Sequence, residues 1–252
     1  MMEDTQEYLQ KKAFFDKVLT IYGRNAVIEA LRDETIEVYK LHLSSSNKKA
    51  NILDDMISIA NKRGIDIVYH DKQALSRISK NSKQDQGVAL DIFLEHFINE
   101  DEFLANHTNY KVLALDGISN PQNLGMIIRS ATAGDIDAII LPSKGTSAIT
   151  PLVVKASVGT IFRMPIIKTT NLKDTLLKLQ KNKATLYTLS SHAPYSYKDE
   201  SYSHKIVFIL GNETTGVSKS IESISDKSIF IPMRRDVESL NVAVTASLLA
   251  FM

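Results

Sequence analysis

Residues 119–131 read SNPQNLGMIIRSA and follow a plain apolar stretch, VLALD, at 112–116. A short apolar strand that opens onto Asn, Pro, Gln, Asn and Gly and then runs into a helical pattern is a strand-to-helix crossover. Asn120 and Pro121 make a sharp turn, Asn123 stands beside the helix start, and Gly125 lets the backbone come close to a neighbour. Arg129 is the helix's lone cation and lies six residues after Asn123, so the two could converge on one ligand at the helix's open end. The competing account is an Asn cap followed by an arginine that solvates the helix flank.

The same rhythm continues on either side. Toward the C-terminus AIILP, RMPIIK, ATLYTLS, KIVFILG and SIFIPM read as strands, with helical patterns at 124–134, 150–158, 171–182, 216–224 and 239–252. Short, almost wholly apolar strands alternating with helices imply a parallel sheet covered on both faces. Toward the N-terminus a helical, charged start is followed by a helix at 25–34, a strand VYKLHLS and an amphipathic helix at 49–64 closed by Gly64. IDIVYH, a short helix QALSRIS and the strand GVALDIF complete that smaller α/β unit. The stretch 94–111 has neither period nor glycine and is the best linker, although part of it could be helical. The expected organisation is therefore an N-terminal domain over 1–95, a linker over 96–110 and a larger α/β domain over 111–252.

Composition narrows the function. The chain has 252 residues, 44% of them hydrophobic, enough for one or two real cores. No run approaches the roughly 18 apolar residues of a membrane span, and the N-terminus lacks a signal-peptide core, so no membrane partner and a cytoplasmic location are expected. With no cysteine and six scattered histidines, disulfides and thiolate metal sites are excluded and no metal is expected. A net charge of +1 means that nucleic acid would be held by local patches rather than by bulk charge. Candidates are Lys11-Lys12, Arg24, Lys48-Lys49, Lys62-Arg63 and Arg77-Lys80-Lys83, with Lys144, Lys155 and Arg234-Arg235 further on.

Ligands of parallel α/β sheets sit at the carboxyl ends of the strands, and three such ends are unusual here. The first is the opening stretch. The second is IVFILGNETTGVS, where Gly211, Asn212, Glu213 and Gly216 make a turn whose backbone N–H groups can face a ligand. Glu213 could equally stabilise the N-terminus of the next helix. The third is IFIPMRRDVESLNVAVTASLLAFM, with two adjacent arginines, Ser239 as a natural N-cap, and a helix of small residues suited to a core or to an interface. No G-x-G-x-x-G follows the first strand, and neither a P-loop nor a G-x-S-x-G elbow occurs.

Taken together, NPQNLGMIIRSA, LGNETTGVS and IPMRRDVESLNVAV resemble, in order and spacing, the three motifs of the SpoU/TrmH-like RNA 2′-O-ribose methyltransferases of the SPOUT superfamily. IYGRNAVIEALR and DQGVAL look like the substrate-binding domain that precedes the catalytic domain in ribosomal-RNA members. The resemblance implies a C-terminal SPOUT domain with a parallel sheet and trefoil knot, preceded by a smaller L30e-like α/β RNA-binding domain. It also implies S-adenosyl-L-methionine as cofactor, a homodimer, and RNA as partner, ribosomal RNA before transfer RNA. By motif position Leu189, Gly211, Ile231, Met233 and Leu240 would hold the cofactor. Arg129, Asn123, Ser239, Glu213 and Asn241 match the family's polar active-site positions.

Transfer of a methyl group to a ribose 2′-oxygen depends on positioning and on loss of the hydroxyl proton. A guanidinium with a pKa above about 12 is a poor base, so Arg129 is expected to grip the neighbouring phosphate and orient or acidify the hydroxyl, with Asn123 and Ser239 placing it. Glu213 and Asn241 are expected to brace the loops. Two positions depart from the family pattern: Arg235 stands where a glycine is usual, and Ala243 where a small polar residue is common. A non-catalytic RNA-binding or assembly protein, its cofactor pocket spoiled by Arg235, is the alternative from another class.

Overall fold

The computed structural model describes residues 18–80, 84–93 and 97–252; Lys11, Lys12 and Lys83 lie outside them. In chain order the first elements are β1 (Val18–Tyr22), α1 (Arg24–Arg32), β2 (Val38–Ser44), α2 (Asn51–Lys62), β3 (Asp66–His70), α3 (Lys72–Ser79) and β4 (Val88–Phe93). There follow β5 (Phe97–Ile98), α4 (Glu100–Asn106), β6 (Tyr110–Asp116), α5 (Pro121–Ala133), β7 (Ala138–Pro142), α6 (Pro151–Ala156) and β8 (Ile166–Thr169). The last are α7 (Leu172–Lys181), β9 (Thr185–Leu189), β10 (Tyr195–Ser196), β11 (Lys205–Gly211), α8 (Lys219–Glu222), β12 (Lys227–Phe230) and α9 (Val242–Ala250). They divide into two compact units, one made of the described residues up to 93 with Thr150–Phe162, the other of 97–149 with Arg163–Met252.

The first unit is a four-stranded sheet in the order β1-β4-β2-β3, antiparallel except for the β2/β3 pair. Alternation sends Ile21, Leu41, Leu43, Leu90 and Ile92 into its core, while α3 packs Leu75 and Ile78 against Tyr22 and Ala89 on the opposite face. β1 corrects the expectation of a helical start: VLTIY is β-branched and pairs residue for residue with β4. Arg63, a candidate for nucleic acid, is spent internally, donating to the carbonyls of Leu31, Asp33 and Ile36. Thr150–Phe162, read from sequence as part of the second domain's helical run, clusters with this unit.

The second unit is an eight-stranded sheet in the order β10-β12-β9-β11-β6-β7-β8-β5, with every adjacent pair parallel. Its two central strands, β11 and β6, have seven residues each, and the outermost, β10 and β5, have two. Tyr110, Val112, Ala114, Ile140, Val207 and Ile209 form one packed cluster with Leu176 and Leu179 of α7. The stretch expected to be a linker carries α4, in keeping with its partly helical reading, and β5, which extends this sheet beside β8.

α5 and α9 run parallel and side by side. Asn241 bonds Asn123 near their N-termini, Ser247 Oγ donates to Ser130 Oγ at 2.7 Å midway, and the Asp135 N–H donates to the Ala250 carbonyl at 2.7 Å beyond their C-termini. Such closeness needs small residues: a Cβ built on Gly134 would lie 2.5 Å from the Ala250 carbonyl oxygen. β12 stops at Phe230, two residues before Pro232, which has no N–H to give to a sheet. The helix expected over 239–252 is shorter, Val242–Ala250, and its cap is Asn241, whose side chain accepts from the Ala243 N–H; Ser239 lies outside it. Similarly the pattern at 216–224 contracts to one turn, α8. Among the described residues no helix is long and apolar enough to cross a membrane.

Candidate active site

All three unusual strand ends lie in the second unit, at the carboxyl ends of β6, β11 and β12. After β6, Gly117 takes a positive φ of 79° and Asn120 caps α5, accepting from the Gln122 and Asn123 N–H groups at 2.8 and 3.4 Å, with Pro121 in the first turn. Asn120 therefore does the capping, and Asn123 is left free to turn its side chain inward.

Asn123 is buried at 6% exposure and joins the three segments. Its Nδ2 donates to Glu213 Oε1 at 2.5 Å, and its Oδ1 accepts from Asn241 Nδ2 at 3.2 Å. Asn241 Oδ1 then accepts from the Ala243 N–H at 2.8 Å, which ends the chain at the first turn of α9. Glu213 is thus tied to Asn123 and not to the N-terminus of α8.

The loop after β11 is fixed by Asn212 and Gly216, which the sequence marked as a turn, and by Asp116, which it did not single out. Asn212 Nδ2 donates to the Gly117 carbonyl at 2.8 Å, its Oδ1 accepts from the Thr214 and Thr215 N–H groups, and its backbone exchanges two hydrogen bonds with Gly216. Asp116 Oδ2 accepts from the Ser218 N–H at 2.7 Å. A polar residue closing an apolar strand, as Asp116 closes VLALD, was the available signal. Gly211 has to be glycine for a steric reason: a Cβ there would lie 2.1 Å from the Gly216 carbonyl carbon.

Beside this network are two cavities of about 390 Å³ each. One is lined by Leu189, Ile231, Met233, Ser239 and Leu240, the other by Leu189, Gly211, Glu213, Ser239 and Leu240. All five residues matched to a cofactor therefore line one cavity or the other, together with Ser190, Ser191 and Thr245, which the sequence did not mark. Apolar side chains for a flat ring, hydroxyls for a ribose and a carboxylate for a cation form a donor set that fits a nucleoside sulfonium such as S-adenosyl-L-methionine.

Arg129 behaves differently from Asn123. It is exposed, and among the described residues its guanidinium makes no hydrogen bond or ion pair, so all five N–H donors remain available. On one helix, six residues turn the two side chains to different sides, Asn123 inward and Arg129 to solvent. Arg235 is also exposed and has φ of 59°, followed by Asp236 at 56°. With the Val237 N–H reaching back to the Arg234 carbonyl, this is a turn of the mirror-image type that favours Asn and Gly. The conformation gives a physical reason for the glycine that the family resemblance expects at Arg235. Among the described residues no group of three or more His, Asp or Glu side chains could hold a metal.

Comparison with known proteins gives consistent results. The SpoU rRNA Methylase family model matches residues 110–251, and the model for RNA 2′-O ribose methyltransferase substrate binding matches residues 20–97. A putative TrmH family tRNA/rRNA methyltransferase of Staphylococcus epidermidis is 32% identical over 92% of this chain and 94% of its own. The 23S rRNA (guanosine-2′-O-)-methyltransferase RlmB of Xylella fastidiosa is 31% identical over the same shares. Among solved structures, the SpoU methyltransferase AviRb from Streptomyces viridochromogenes, in complex with AdoMet, superposes with a TM-score of 0.80 over 96% of this chain and 91% of its own at 17% identity, which shows a common fold. With two family models matched in series and relatives aligned over nearly their whole length, the chain belongs to the SpoU family of RNA methyltransferases.

Proposed function

We propose that the protein methylates a ribose 2′-hydroxyl of ribosomal RNA with S-adenosyl-L-methionine as methyl donor. The observation that carries this reading is the Glu213–Asn123–Asn241 chain, which locks three strand-end segments together beside the cavities of Leu189, Gly211, Ile231, Met233 and Leu240 while Arg129 has no partner among the described residues. Ribosomal RNA is preferred to transfer RNA because the Xylella relative carries that activity and because a substrate-binding region precedes the methylase region.

Bound there, S-adenosyl-L-methionine supplies an electrophilic methyl carbon on a sulfonium. Leu189, Gly211, Ile231, Met233 and Leu240 would hold that donor, and the ribose 2′-oxygen would take the methyl from it while giving its hydroxyl proton to solvent. Arg129 holds the phosphate beside that ribose through paired N–H donors and lowers the cost of charge on the oxygen. Ser239, exposed between the two cavities, orients the hydroxyl. Asn123, Glu213 and Asn241 are positioning residues. The domain limits 1–95, 96–110 and 111–252, and the knot, belong to the same reading.

Homodimerisation is also part of it. Val244 and Phe251 on and after α9 are 48% and 66% exposed and flank an apolar groove with Leu248 and Tyr197, a surface suited to a second copy. Sedimentation of wild type beside Val244→Glu is expected to show a dimer that the variant loses.

The direct test is transfer of radiolabelled methyl from S-adenosyl-L-methionine to ribosomal RNA and, separately, to transfer RNA. Alkali-resistant label in ribosomal RNA that disappears with Arg129→Ala is the expected result. Label confined to transfer RNA would overturn the substrate assignment, and no label together with no cofactor binding would overturn the enzyme.

A further inference from the structure

Four side chains in the first unit form a hydrogen-bonded line across all four strands of its sheet. Thr20 of β1 donates its hydroxyl to Asp91 Oδ1 of β4 at 2.6 Å. Asp91 Oδ2 lies 3.1 Å from His42 Nε2 of β2, and His42 Nδ1 lies 2.9 Å from His70 Nε2 of β3. His42 and Asp91 are 6% and 8% exposed. Burying such groups costs free energy that an apolar pair would not, so the line calls for a reason.

Its proton order follows from the donors present. An ionised carboxylate only accepts, so a neutral His42 gives Asp91 its Nε2–H and keeps Nδ1 as an acceptor. His70 must then donate its Nε2–H inward, which leaves its own Nδ1 as a bare acceptor. Among the described residues that atom has no partner, and His70 is only half-buried.

The surroundings point to a ligand. Register pairs His70 with Ser44, and Ser44 lines a polar cavity of about 260 Å³ with Ser46, Asn47, Lys72, Gln86 and Asp85, whose carboxylate accepts from Ser79 Oγ and the Gly87 N–H. Tyr69, next in sequence, is 59% exposed. Lys40 and Lys72 supply positive charge nearby, and the adjacent acid Asp71 accepts from the Ala74 N–H.

We propose that His70 is an RNA-contacting residue whose outward Nδ1 accepts a hydrogen bond from a donor on the substrate RNA, and that His42, Asp91 and Thr20 are positioning residues that fix its tautomer. This rests on the RNA-methyltransferase reading and adds to it where the first unit touches RNA. The donor is a ribose 2′-hydroxyl or a base N–H, and the two are separable.

The test measures equilibrium binding of fragmented ribosomal RNA to the full chain, with imidazole ¹⁵N spectra as a second readout. Wild-type His70 is expected as the Nε2–H tautomer. His70→Ala is expected to weaken RNA binding roughly tenfold, the size of one good hydrogen bond. Asp91→Asn, behind the contact, should mix the His70 tautomers and weaken binding by part of that factor, and the double variant should bind no worse than His70→Ala. A DNA competitor of matching sequence that competes poorly identifies the ribose hydroxyl, and equal competition identifies a base. Wild type that binds RNA while His70→Ala binds equally well, additive losses in the double variant, or a wild-type proton on Nδ1 would each overturn the proposal alone. Wild type that binds no RNA would overturn the functional reading along with it.

Discussion

Asn123 gives the clearest contrast between a residue's fold role and its chemical role. Replacing it with alanine strands Glu213 and the Asn241 amide without their shared partner, and a buried hydrogen-bond partner lost in this way costs about 1–3 kcal/mol. Denaturant unfolding is expected to show that loss for Asn123→Ala, whereas Arg129→Ala should stay within about 0.5 kcal/mol of wild type while methyl transfer collapses. Equal destabilisation by the two would refute the division of labour. Tyr110 supplies the converse case: its hydroxyl is buried and, among the described residues, unpartnered, and burial pushes its pKa up to about 12. Tyr110→Phe should therefore raise stability by about 1 kcal/mol, read as a shift in the urea midpoint at constant slope. Sequence showed that Asn123, Glu213 and Asn241 belong together because three motifs named them. It could not show that Asn120 caps α5 or that Asn241 and not Ser239 caps α9, since Asn and Ser cap equally well and only the backbone's course chooses between neighbours.

At the scale of elements, the α5/α9 pair depends on the absence of side chains. Gly134→Ala would press a methyl group onto the Ala250 carbonyl, and because that neighbour is backbone the helices must part, an overpacking cost of about 1–3 kcal/mol that calorimetry can detect. In the smaller sheet the line through His42 makes stability depend on pH. Burial, the neighbouring His42 and Lys40 hold the His70 pKa below its ordinary value, against the opposing pull of Asp71. Burial alone would raise Asp91, but hydrogen bonds from His42 and Thr20, aided by the Lys40 charge, hold it below the usual carboxylate range. The signs agree. For His70 the unfolded chain takes up a proton more readily as pH falls below about 6.5, so stability declines from there down to the depressed folded value; for Asp91 it declines as pH falls below about 3.8 and through its own. His70→Asn should abolish the first decline and leave the second, measured as unfolding free energy between pH 7 and pH 3. Periodicity found most of these elements because apolar strands and amphipathic helices announce themselves. It missed β5 and β10, whose two residues are too few to carry a period, and it missed β1, which adjoins a charged stretch of helical appearance.

The whole molecule keeps its cost and its chemistry in different places. The larger unit carries the cavities and Arg129, and the smaller one carries a polar line that its core does not need. Arg235→Gly should stabilise the chain by about 1 kcal/mol, because glycine pays nothing for a left-handed φ, and thermal melting checks it. The eight-stranded sheet shortens in step on both sides of its centre, from seven residues in β11 and β6 through five in β9 and β7 and four in β12 and β8 to two in β10 and β5. An all-parallel sheet this wide would otherwise end in two long rows of unpaired amides, each a template on which a neighbouring molecule's strand could add and begin a fibril. Among the described residues each rim has only two residues, almost nothing for such a strand to grip.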